Sequence, residues 1–108
     1  MEQNEEKKER VIIAGVHRGL ADALADTTEE SLDELEELVK TAGGEVVCSV
    51  IQNKSDLEAA TYMGIGKLEE VKEAVQTLDA DMVVFDDELS PVQTRNIADF
   101  LEIKVLDR

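Results

Sequence analysis

Asp86, Asp87 and Glu88 follow in a row on the apolar run Met82-Val83-Val84-Phe85. Carboxylates at a strand end have the chemistry to hold magnesium, which prefers carboxylate oxygens and water. Three adjacent side chains rarely converge on one ion, so the competing reading has one accepting from the next helix and the others solvated. Gly64-Ile65-Gly66-Lys67 carries the opposite charge. Glycines at a helix N-terminus expose backbone N–H groups and Lys67 adds a cation, which suits a phosphate or RNA-backbone contact. A Walker A loop requires Gly-x-x-x-x-Gly-Lys-Ser/Thr. Here Thr61 occupies its first position, and Leu68 stands where the magnesium-binding hydroxyl belongs. The plainer reading of the two glycines is a tight turn into a helix. Ser90 reads as an N-cap, Pro91 as the first helical residue and Gln93 as the third position of a capping box. Arg95 and Asn96 lie in the first two turns of the same helix; Arg95 either pairs with a nearby acid or meets a partner. Tyr62 precedes the glycines and either stacks on a base or anchors its own loop. His17 is the single histidine and Cys48 the single cysteine. No nucleophile is placed beside His17, so a catalytic triad has no support, and Cys48 reads as a small core residue.

These residues are positioned by alternating strands and helices. Val11 to Val16, Val46 to Ile51, Met82 to Phe85 and Ile103 to Leu106 are apolar runs of strand length. Leu32, Leu35, Val39 and Ala42 recur at helical spacing after a cap at Thr27 or Thr28, and Gly43-Gly44 stops that helix. Leu68, Val71, Val75 and Leu78 form a second stripe, and Ile97, Phe100 and Leu101 a third. Leu20 and Leu24 leave room for a short helix in the first connection. The pattern predicts an α/β fold, a small four-stranded parallel sheet with helical crossovers in two or three layers. Residues 1–9 read as a charged tail and 10–108 as one domain. The three longest irregular segments, 17–27, 52–66 and 86–90, all follow strand ends and so crowd the carboxyl edge of the sheet, where ligands and partners bind in such folds.

Composition narrows the function. A chain of 108 residues supports one domain and one modest core, burying about two-thirds of its unfolded surface. Aromatics make up 3 % of it, so Val, Ile, Leu and Ala must fill that core. A formal net charge of -15 keeps the domain soluble and argues against an autonomous nucleic-acid binder, which needs basic surface to replace counterions. A lone cysteine, no signal-peptide h-region and no apolar run of membrane-spanning length point to a reducing, cytoplasmic setting without membrane contact.

Four segments, in order, resemble the N-terminal domain of the HflX family of ribosome-associated GTPases. They are Glu30-Ser31-Leu32-Asp33-Glu34-Leu35 with Thr41-Ala42-Gly43; Ala60 through Lys67; Phe85 through Asn96; and Val105-Leu106-Asp107-Arg108. Ile65 departs from a position that is often polar or charged in that loop. The resemblance implies a parent protein that continues into a helical hairpin and a P-loop GTPase domain and associates with the large ribosomal subunit through its rRNA. GTP and magnesium are then expected in the parent's G domain, with no cofactor, metal or catalytic residue in the present stretch. The residues expected to contact RNA or the neighbouring hairpin and G domain are Tyr62, Gly64, Gly66, Lys67, Asp86, Asp87, Glu88, Gln93, Arg95 and Asn96. Two alternatives stay open: a nucleotide–magnesium domain using Gly64 to Lys67 with Asp86 and Asp87, and a packing module without RNA contact. A receiver-like module would need acids after the first strand, where Val16-His17-Arg18-Gly19 has none.

Overall fold

The computed structural model describes residues 8–19, 28–53 and 58–108. In chain order these form β1 (Arg10–His17), α1 (Thr28–Thr41), β2 (Glu45–Asn53), α2 (Ile65–Leu78), β3 (Met82–Phe85), α3 (Pro91–Leu101) and β4 (Lys104–Leu106). The possible short helix at Leu20 and Leu24 falls outside the described residues, as do 1–7 of the expected tail.

All four strands are parallel, in the order β2-β1-β3-β4. Side chains of β1 alternate between two cores, as the two-residue strand period requires. Ile12, Ala14 and Val16 face one way with Val83 and Phe85, and pack against Leu68 and Val71 of α2 and Ile97 and Leu101 of α3. Val11 and Ile13 face the other way with Met82 and Val84, against Leu32 and Leu35 of α1. The domain is therefore three-layered, with one helix on one face and two on the other. β2 is an edge strand and only partly buried. Its register against β1 shifts between Val11 and Ile12, which pair with Val46 and Cys48. The extra residue, Val47, lets Val46 pack with the α1 core while Val47 and Cys48 both pack with the other.

Helix ends follow local chemistry. Gly43 sits at φ 95, and the Gly44 and Gly43 N–H groups return to the carbonyls of Val39 and Lys40 at 2.9 and 3.0 Å. That paired closure is the Schellman motif. A Cβ on Gly44 would lie 2.8 Å from Val39 Cγ1, so this position also needs glycine for space. α2 and α3 close instead on Asp79 and Glu102 in the left-handed region, each donating its N–H back into the helix. The capping box at α3 is complete: Ser90 Oγ accepts from the Gln93 N–H and Gln93 Oε1 from the Ser90 N–H.

The chain leaves β1 towards β2, and enters β3 on the other side of β1. The strand order reverses at that point, between the carboxyl ends of β1 and β3, which is where doubly wound sheets open a crevice.

Candidate functional site

The residues that fill this crevice and its rim come from five parts of the chain. Asp86 extends β3 by one step, its N–H donating to the Ala14 carbonyl of β1 at 2.8 Å. Its carboxylate is buried and accepts from Arg108 Nε, while Arg108 Nη2 donates to the Ser31 carbonyl on α1 at 2.8 Å. Arg108 thus ties the end of β4 to β3 and to the first turns of α1. Asp87 accepts from the Tyr62 hydroxyl on one oxygen and from Arg18 Nη2, at 3.3 Å, on the other. Both carboxylates are already satisfied by donors, and magnesium would have to displace a guanidinium from each. No group of three metal-ligating side chains occurs among the described residues. Glu88 is exposed, and the next N–H, that of Leu89, donates to Asp107 at 2.7 Å. The side chain that receives the loop's backbone donor is therefore Asp107 rather than one of the three consecutive acids.

Tyr62 is fully buried and stands perpendicular to Phe85, ring centroids 5.5 Å apart. Such a pair contributes about 0.5–1.5 kcal/mol beyond its buried area. Its backbone lies at φ 68, a left-handed conformation that costs a non-glycine residue about 1–2 kcal/mol. Burial first, and then the Asp87 carboxylate that accepts its proton, push the phenol well above its ordinary pKa. In this position the ring anchors its loop and has no free face for a base. The same loop is held from outside: Gln93 Nε2 donates to the Glu58 carbonyl at 2.8 Å and Asn96 Nδ2 to the Ala60 carbonyl at 3.1 Å. Glu58 and Tyr62 also exchange both backbone hydrogen bonds, closing the loop on itself. Gln93 is thus both the capping residue of α3 and a hook for the loop.

The glycine turn is equally occupied. The Gly64 N–H donates to Gln52 Oε1 at 2.8 Å, and Gly64 precedes α2 in an extended conformation. Lys67 Nζ lies 3.1 Å from Glu70 on the next turn of the helix. The first amide of a phosphate cradle is therefore taken, and its cation is shared with an acid, so the turn is a poor fit for a nucleotide. The outer surface of the same edge is open. Ile65 is 51 % exposed and Val92 48 %, one at the start of each helix on this face. Arg95 is exposed, and of its two readings, an acid nearby or a partner, the pairing with an acid is not made among the described residues.

The family model described as "GTP-binding GTPase N-terminal" matches residues 29–108, which include every hook, cap and acid of this edge except Arg18. The chain is 50 % identical over 103 residues to the GTPase HflX of Lacrimispora saccharolytica, covering 95 % of this chain and 23 % of that protein. It belongs to the HflX GTPase family. It is 41 % identical over 108 residues to the GTPase HflX of Caldanaerobacter subterraneus, covering 100 % of this chain and 24 % of that protein. With the GTPase HflX of Escherichia coli it shares 37 % over 83 residues, 77 % of this chain and 20 % of the relative. The chain spans about a quarter of the length of the first two relatives, and it corresponds to the family's N-terminal domain.

Of the residues singled out by sequence, Tyr62, Asp87, Gln93 and Asn96 are joined into one hydrogen-bonded assembly, and Asp86 into a second with Arg108. Gly64 is tied to β2 through Gln52. Gly66, Lys67, Glu88 and Arg95 lie outside both assemblies. Arg18, Gln52, Asp107 and Arg108 also belong to the site and are not marked for it by sequence, because each bonds to a residue distant in the chain. Gln52, a polar residue closing a strand on the loop-rich edge, is the one that carried a usable signal.

Proposed function

We propose that this domain docks an HflX-type GTPase onto the large ribosomal subunit through the carboxyl edge of its sheet, while GTP binding and hydrolysis reside in the part of the protein beyond the matched quarter. The observation that carries this reading is the division of labour on that edge. Tyr62, Asp87, Gln93 and Asn96 face inward and stiffen the loop 58–64, and a rigid surface loses less conformational entropy on binding. Ile65, Val92 and Arg95 are exposed at the starts of α2 and α3, and Lys67, partly buried and paired with Glu70, lies in the first turn of α2. With an overall charge of -15, RNA contact has to be local, through Lys67 and Arg95.

The test is co-sedimentation of the full-length protein with large subunits over a salt series, comparing wild type with Lys67→Ala/Arg95→Ala. Each lost phosphate contact lowers the slope of log K against log salt by about 0.7–0.9. Binding of the double variant that is as tight, and as salt-dependent, as wild type sinks the RNA-docking reading. A second reading, contact with the protein's own G domain, is favoured by exposed Ile65 and Val92. It predicts that Ile65→Ser/Val92→Ser changes thermal unfolding of the whole protein and leaves subunit affinity alone.

A further inference from the structure

β2 is the longest of the described strands, and it lies at an edge of the sheet with β1 as its strand neighbour. Sheet edges are commonly blunted by short length, lysine or proline. β2 has none of these. Glu45 is its only charged residue, and its one irregularity, the extra residue Val47, precedes a regular run over 48–53.

The register fixes which of its backbone groups are spare. The Ala14 carbonyl accepts from the Asp86 N–H at 2.8 Å and the Arg10 carbonyl from the Asp81 N–H at 2.7 Å. Even-numbered residues of β1 therefore turn their backbone groups to β3, and odd-numbered ones to β2. Ile13 and Gly15 are opposite Ser49 and Ile51. A residue in a parallel ladder bonds to the neighbours on either side of its partner, because the bonds are slanted. Ile13 and Gly15 thus engage Cys48, Val50 and Gln52. The N–H and C=O groups of Ser49 and Ile51 point away from the sheet, and among the described residues no backbone group meets them.

Such a row of groups suits one kind of occupant, an extended polypeptide that adds itself as a further strand. The charge beside the edge selects which polypeptide. Arg108 reaches Ser31 and Glu34 on the flank of α1 nearest β4, and Leu38 and Ala42 continue that flank. By the helical period the opposite flank, towards β2, carries Glu29, Asp33, Glu36 and Lys40. Glu29 and Asp33 are exposed, and Lys40 is shared by Glu36 and Glu37 at 3.6 and 3.7 Å. A second copy of the chain would bring the same acids and another net charge of -15, and RNA would bring phosphates and no strand.

We propose that the outer edge of β2 receives an extended, basic segment of another protein, which joins the sheet as a further strand. Backbone bonds at Ser49 and Ile51 set its register, and its cationic side chains lie along the flank of Glu29, Asp33 and Glu36. This edge is distinct from the loops on the carboxyl edge, and the inference does not rest on ribosome docking.

Anisotropy and hydrogen exchange on the full-length protein test it, with a labelled peptide of about eight alternating lysine and valine residues as probe. The control peptide has the same charge and a proline at its centre, which spoils strand pairing. The alternating peptide is expected to bind at least about tenfold more tightly than the control. Equal affinities reduce the contact to charge alone and overturn the proposal. On binding, exchange at the Ser49 and Ile51 amides should slow at least about tenfold, while the Val50 and Gln52 amides, already bonded to β1, keep their rates. Unaltered exchange at Ser49 and Ile51 overturns the proposal. Ser49→Pro removes an outward N–H at an exposed position and leaves the β1 ladder complete, so peptide affinity should fall at least about tenfold in a folded protein. Asp33→Asn/Glu36→Gln leaves the strand untouched and should weaken binding and flatten its salt dependence. Binding unchanged in either variant overturns the proposal. Protection of Ser49 and Ile51 without peptide assigns the edge to a second copy if it is lost on dilution, and to the protein's own chain if it is not; either result overturns it.

Discussion

Tyr62 is the only tyrosine of the chain, which has no tryptophan, and this makes its ionisation a clean report on the loop. The folded-state pKa of the phenol is raised by burial and by Asp87. Its contribution to stability is then fully present below the unfolded value of about 10 and is lost as pH rises above it. The loss approaches about 1.4 kcal/mol per pH unit. Between about pH 10 and about pH 11.5 the wild type should therefore lose about 1.5–2 kcal/mol more than Tyr62→Phe, in which lysine ionisation acts but the phenol does not. With a urea dependence of about 1–3 kcal/mol per molar, the two midpoints move relative to one another by about 1 M. Urea melts at each pH measure the difference, and phenolate absorbance supplies the second readout. Absorbance should rise only together with loss of the far-ultraviolet helical signal. Phenolate appearing near pH 10 in a domain that stays folded would refute the burial of Tyr62 and its bond to Asp87.

Two further outcomes follow from the same edge. Arg108→Ala strips the buried Asp86 carboxylate of its partner, and the half-solvated position of the arginine keeps the loss to about 1–3 kcal/mol; Arg108→Lys should not restore it, because Nε and Nη2 serve different acceptors. Both variants are read by chemical denaturation. Gln93→Ala removes half of the capping box and the hook on Glu58, costing about 1–2 kcal/mol, and hydrogen exchange at the Glu58 and Tyr62 amides should quicken while the β1 amides stay protected.

The parts of this domain legible in the sequence are those decided by neighbours. Ser90, Pro91 and Gln93 announce the start of α3 because a capping box is made within four residues. Gly43-Gly44 announces the end of α1 because a left-handed turn wants glycine. The helical stripes and the buried run Met82 to Phe85 follow from the periods of 3.6 and 2. The edge strand β2 was harder: the extra residue Val47 breaks its alternation, and the polar ends at Glu45, Gln52 and Asn53 hide a strand longer than its apolar run. The candidate site was legible in membership but not in wiring. Asp86, Asp87, Tyr62, Gln93 and Asn96 stand out by type and place, yet their partners lie 22 to 36 residues away. Arg18 meets Asp87 across 69 residues, and no local pattern encodes such a pairing. The freedom of this edge is also smaller than its residue types suggest, since Gly64, Asp86 and Asp87, which look available to phosphate or magnesium, are held by Gln52, Arg108 and Arg18.

Ribosome docking, as proposed, requires the outer carboxyl edge to face the large subunit. Its most direct measurement is site-specific photocrosslinking from Arg95→Cys, on that edge, and from Leu38→Cys, on the opposite side of the fold, in the full-length protein bound to large subunits. Adducts with rRNA or large-subunit proteins are expected from Arg95→Cys and none from Leu38→Cys. Adducts from Arg95→Cys confined to the protein's own chain, with subunit binding intact, would contradict it.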